Sequence, residues 1–102
     1  MENAEDEMQR VFEKAADLFA VLSTPIRLRI ISELCQGEKN VGQLLEQIDV
    51  PQPNMSQHLS IMYRAGLLGK RRQGAQMFYR IADASVVHVC RAVCTQVAMA
   101  TD

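Results

Sequence analysis

A chain of 102 residues with a net charge of −1 has room for one domain, 1–102, with a modest core. Apolar residues make up 48% of it and aromatic residues 5%, the balance of a helical protein with an aliphatic core and an apolar surplus left for burial between subunits. No apolar run approaches the roughly 18–20 residues of a membrane span. With no signal peptide, a cytoplasmic protein is expected. Three cysteines, an odd number, argue against the disulfide framework of a secreted domain and for free thiols.

Charge is unevenly distributed. Six acids (Glu2, Glu5, Asp6, Glu7, Glu13 and Asp17) face only Arg10 and Lys14 in residues 1–17. From Val50 to Ala82 there is no acid, and that stretch carries Arg64, Lys70, Arg71, Arg72 and Arg80. It is a candidate phosphate-facing surface.

Met8, Val11, Phe12, Ala15, Phe19 and Leu22 recur at helical spacing and predict a first helix from about Glu5 to Leu22. Thr24 and Pro25 start a second, the threonine as cap and the proline at the first helical position, where a missing N–H costs nothing. Ile26, Ile30, Ile31 and Leu34 are its inward face, and Gly37 ends it. Asn40 caps a short third helix with Val41, Leu44, Leu45 and Ile48 inward. After the break at Asp49-Val50-Pro51, a fourth helix runs from about Pro53 to Ala65, with Met55, Leu59 and Met62 inward, and Gly66 stops it. Leu67–Arg72 and Ala75–Ile81 predict two strands around Gln73-Gly74. Asp83 caps a last helix on which Val86, Val89, Cys90, Val93, Cys94 and Val97 form a broad apolar surface.

A short helix, a turn and a polar-faced helix beside a basic hairpin suggest a mainly α fold with a β-hairpin, the winged helix-turn-helix. The motif spans 41–65 and its wing 67–81. The run from Leu22 to Ile31, LSTPIRLRII, resembles the second-helix signature of the ArsR/SmtB family of transcriptional regulators. Pro53 to Leu59, PNMSQHL, followed by Ala65-Gly66-Leu67, resembles that family's recognition helix and helix end. Arg71-Arg72-Gln73-Gly74 and Phe78-Tyr79 resemble its wing. The resemblance runs from about Phe12 to Val97. It implies a homodimer joined by the first and last helices, 5–22 and 83–98, that binds palindromic double-stranded operator DNA and is released by a small inducer.

The fourth helix offers Asn54, Ser56, Gln57 and Ser60 to DNA, with Gln52 and His58 nearby. Amide side chains pair with adenine in two places at once, and short hydroxyl side chains reach base edges without bulk. A helix N-terminus also suits a phosphate. The hairpin brings Arg71, Arg72 and Gln76 to an adjacent groove or backbone. His58 has an alternative, a hydrogen bond from helix to helix.

Cys90 and Cys94 are four apart on one helix face. At about 6 Å between their Cα atoms, near the upper end of disulfide geometry, they are less suited to a direct disulfide. As small apolar side chains, all three cysteines also suit a core. The family's metal patterns are missing: Glu38 to Gln43 holds no thiol, Asp83 is followed by Ala84 and Ser85, and the later ligand positions are Gln96 and Met99. His88 stands alone as a surface group. The resemblance is closer to the thiol-sensing branch of the family, whose cysteine positions fall at Ser32 and Ala98. Cys35 lies one turn later and Cys94 one turn earlier, shifts that compensate if the two helices cross antiparallel. Two kinds of inducer follow: reactive sulfur or oxidants linking Cys35 to Cys94, or arsenic, antimony or another thiophilic metal held by Cys35, Cys90 and Cys94. No cofactor and no membrane partner are expected. An enzyme is disfavoured by the lack of any nucleophile–base arrangement or phosphate loop. A winged helix that binds protein instead of DNA is disfavoured by the acid-free basic stretch.

Overall fold

The computed structural model describes residues 3–100. Eight elements follow in order: α1 (Ala4–Val21), α2 (Pro25–Leu34), β1 (Lys39–Asn40), α3 (Val41–Gln47), α4 (Gln52–Arg64), β2 (Leu68–Gln73), β3 (Gln76–Ile81) and α5 (Ala84–Ala100). Local chemistry places most of their ends. The Asn3 side chain accepts from Asp6 N at 2.9 Å, and Glu5, Asp6 and Glu7 in the first turn complement the helix dipole. Thr24 Oγ1 accepts from Arg27 N at 3.1 Å, with Pro25 just inside the helix. Asn40 and Gln43 form a reciprocal capping box, both bonds 2.8 Å. At the end of α4, Gly66 takes φ 84. Its N–H donates to Tyr63 O and that of Leu67 to Met62 O, both at 3.0 Å, the paired closure of a Schellman motif.

The sheet has the order β1-β3-β2, antiparallel throughout. β1 is not predicted from sequence: two residues are too few to show an alternation, and pairing with Phe78 and Tyr79 of β3 creates the strand. The hairpin turns at Gly74 and Ala75, one residue later than expected, because Gln73 pairs with Gln76. Gly74 supplies the positive φ, 63°, that a two-residue loop asks of its first residue. α4 starts at Gln52 with Pro51 as its cap residue, one position before the expected start. Pro53 is tolerated because the first-turn N–H groups have no partner in the helix.

The core is the expected one for the middle of the chain. Ile30, Ile31 and Leu34 of α2 meet Leu44 and Ile48, then Met55, Leu59 and Met62 of α4, with Leu67, Leu68 and Val86 closing it. The terminal helices differ. No residue of α1 is buried, and Met8, Val11, Phe12 and Phe19 are each about half exposed (48%, 54%, 61% and 57%). On α5 only Val86 and Cys90 are buried, while Val93, Cys94 and Val97 face outward. The two apolar stripes read from the sequence therefore exist but are not covered within one protomer. The radius of gyration, 15.6 Å, against about 13 Å for a compact chain of this length, expresses the same projection.

Candidate nucleic-acid interface and thiol cavity

α4 buries Met55, Leu59 and Met62 completely, and this orients the rest of the helix. Gln52, Asn54, Ser56, Gln57 and Ser60 are exposed, as a reading surface requires. No side chain caps the N-terminus of α4, so its first N–H groups remain available to an anion.

His58 departs from the expectation that it faces DNA. It is half-buried, and its Nδ1 accepts a hydrogen bond from Arg27 Nε at 3.0 Å. The helix-to-helix tie is the arrangement the molecule adopts. A residue one turn before Met62 and next to Leu59 lies at the edge of the buried face, where α2 approaches. Burial, and secondarily the Arg27 charge, push the imidazole below the ordinary histidine range. The same arginine donates through Nη1 to Val21 O at 3.0 Å, and Arg29 donates to Gln47 O at the end of α3. The arginines of α2 thus tie α1, α3 and α4 to α2.

The wing separates its two arginines. Arg71 lies across from Phe78 and Arg72 across from Met77, so strand alternation sends them to opposite faces. Arg71 Nε lies 3.0 Å from both carboxylate oxygens of Glu38, and Nη2 lies 2.6 Å from Oε1. It also bonds Gln73 and rests 4.8 Å over the Phe78 ring. This hydrogen bonding holds the Glu38 carboxyl below its usual range. The Arg72 side chain makes no hydrogen bond or ion pair among the described residues. It shares a face with Lys70, whose Nζ stands 4.3 Å over the Tyr63 ring at the end of α4. Gln76, expected on DNA, accepts from the Asn40 side chain at 3.1 Å while remaining exposed. The engagements of Arg71 and Gln76 come from Glu38 and Asn40, just before α3. Glu38, Arg27 and Tyr63 are contributors that local sequence patterns do not show; only contacts between distant segments reveal them.

The cysteines converge. Leu28, Ile31, Ser32, Cys35 and Gln36 of the α2 region face Val87, Cys90, Arg91 and Cys94 of α5 around a cavity of about 280 Å³. A smaller one of about 130 Å³ adjoins it through Leu28, Cys90 and Cys94 and reaches Phe19 and Val93. All three thiols are free: Cys35 half-buried, Cys90 buried, Cys94 exposed. Burial pushes the Cys90 thiol up, with Cys94 and Cys35 adding to the effect, so its thiolate is the least accessible chemically. Among the described residues no group of three His, Cys, Asp or Glu side chains is placed to hold a metal ion. His88 is exposed. No helix among the described residues is long and apolar enough to cross a membrane.

Such a fold, with an exposed polar helix and a basic hairpin, is that of the winged helix-turn-helix transcriptional regulators. Residues 24–70 match the model of the bacterial regulatory protein family arsR. The biofilm growth-associated repressor of Xylella fastidiosa is 35% identical over 95 residues, covering 89% of this chain and 83% of that protein. Among solved structures, the repressor BigR from Xylella fastidiosa superposes with a TM-score of 0.79 at 33% identity, over 91% of this chain and 95% of that one. Reduced HlyU from Vibrio cholerae does so at 0.78 and 29%, over 85% and 92%. The chain belongs to the arsR family; its relatives are transcriptional regulators, not enzymes.

Proposed function

We propose that the protein is a homodimeric DNA-binding repressor that leaves its operator when reactive sulfur or oxidants link Cys35 to Cys94. The observation that carries the sensing half is the cavity between α2 and α5 onto which all three thiols open. Cys35 and Cys94 stand on opposite walls of it and are the more accessible pair, whereas Cys90 is buried with a raised thiol pKa. Attack on a disulfide or polysulfide needs a thiolate with access, so the pair without Cys90 is favoured. The DNA-binding half is supported by the exposed polar residues of α4 and the acid-free stretch from Val50 to Ala82. Dimerisation is supported by the uncovered apolar faces of α1 and α5, and cytoplasmic residence by membership of a family of bacterial regulators.

A link across the cavity would change how α2 lies on α5. α2 carries α3 and α4 through the core, so the separation of two recognition helices would change. In a dimer that separation must match successive major grooves, about 34–36 Å apart. Mass spectrometry after polysulfide, peroxide or arsenite treatment, read beside release of a duplex selected from a random pool, tests the proposal. A Cys35–Cys94 link that appears as DNA is released supports it. Release with no cysteine modified overturns it. Arsenite retained by all three thiols would instead establish the metalloid reading.

A further inference from the structure

Arg27 touches three helices from a single position. It is the third residue of α2, its backbone N–H is held by Thr24 Oγ1, its Nη1 donates to the carbonyl of Val21 closing α1, and its Nε donates to His58 Nδ1 on α4. Arginine has no acceptor and does not lose its proton. The bond to His58 therefore requires an imidazole whose Nδ1 is bare, the neutral form carrying its proton on Nε2. A second proton would occupy the acceptor position and set two cations against each other.

We propose that His58 is a positioning residue: its neutral imidazole, held by Arg27, sets the angle of α4 for DNA, and protonation of His58 releases that helix and weakens binding. The proposal rests on the reading of α4 as the DNA-facing helix. His58 lies between Ser56 and Gln57 on one side and Ser60 on the other, so a small rotation of α4 about this point moves every candidate reading side chain. Burial first, and then the charge of Arg27 facing the ring from α2, push its titration down. The strut has a second consequence. α2 also lines the thiol cavity through Leu28, Ile31, Ser32 and Cys35, so the helix that a cysteine link would displace is the helix that grips His58.

The opposite role makes the opposite prediction. A histidine on the DNA face would bind phosphate better when protonated, so acidification would strengthen its contact. The probe is a duplex recovered by the parent protein from a random-sequence pool at about pH 7.5, with affinity followed down to about pH 5.5, across the range where histidine titrates. His58→Asn keeps an acceptor at the Nδ1 position and cannot titrate there. His58→Leu removes the acceptor. The parent is expected to lose about tenfold in affinity on acidification, the scale of a hydrogen bond to a charged group. His58→Asn should bind comparably at about pH 7.5 and lack that loss. His58→Leu should bind weakly at every pH while its thermal unfolding remains cooperative. The ring-nitrogen chemical shifts of His58 in the parent should report the Nε2–H tautomer at neutral pH. Tighter parental binding on acidification, or a His58→Asn profile that follows the parent, overturns the strut alone. Recovery of no duplex by the parent overturns the reading of α4, and the strut with it.

Discussion

The Arg71 guanidinium grips both carboxylate oxygens of Glu38, while Arg72, the next residue along β2, points to the other face of the wing. Two arginines that look equivalent in sequence are therefore unequal as candidate phosphate ligands. Arg72→Ala is expected to flatten the dependence of log affinity on log salt for random duplex DNA by about one, the loss of one phosphate contact. Arg71→Ala should change it less, because that side chain must first leave Glu38. Glu38→Gln frees Arg71 and should steepen the slope. Equal slopes for the two arginine variants would mean that Arg71 exchanges Glu38 for phosphate on DNA.

Gln57 is exposed on α4, whose opposite side is fully buried. Gln57→Ala should weaken binding to a selected duplex by about 1–3 kcal/mol, the worth of a bidentate base contact. Binding to random DNA should barely change. A uniform loss on both duplexes would place Gln57 on the backbone instead of a base.

Phe12 and Phe19 are 61% and 57% exposed on α1, and Phe19 borders the smaller cavity beside Cys90 and Cys94. A charge placed in a buried apolar interface is strongly unfavourable. Phe12→Glu should therefore shift sedimentation from dimer to monomer at micromolar concentration. A parent that sediments as a folded monomer there would refute the terminal-helix interface.

Cys35→Ser and Cys94→Ser are each expected to bind DNA like the parent and to lose the response to polysulfide or peroxide. Cys90→Ser should keep it, since its buried thiol with a raised pKa is not needed for a two-thiol link. Loss of the response in all three variants would point to a three-thiolate site. Release from a variant with all three cysteines replaced would exclude cysteine sensing.

Asn40 caps α3 and also donates to Gln76 near the wing turn. Asn40→Ala should cost about 1 kcal/mol in urea unfolding, the usual worth of an N-cap. It should also loosen the wing, seen as faster amide exchange at Gln76 than in the parent. Unchanged exchange would limit Asn40 to its role as a cap.

Much of this molecule is determined locally and is legible in the chain. The caps Thr24 and Asn40, the stop at Gly66 and the inward set Met55, Leu59 and Met62 follow from hydrogen bonding and periodicity within a few residues. So do the exposed side chains of α4, because burying one face of a helix leaves the other outside. The missed features join segments far apart in sequence. β1 exists only because β3 lies beside it. His58 bonds a residue 31 positions earlier and Arg71 one 33 positions earlier. Whether a polar side chain spends its hydrogen bonds on DNA or on its own protein depends on what the fold brings within about 3 Å of it, and no local pattern encodes that distance. The apolar stripes of α1 and α5 are the converse case. Periodicity reveals them, but a stripe does not say what covers it, and tertiary structure decides that one protomer leaves them open.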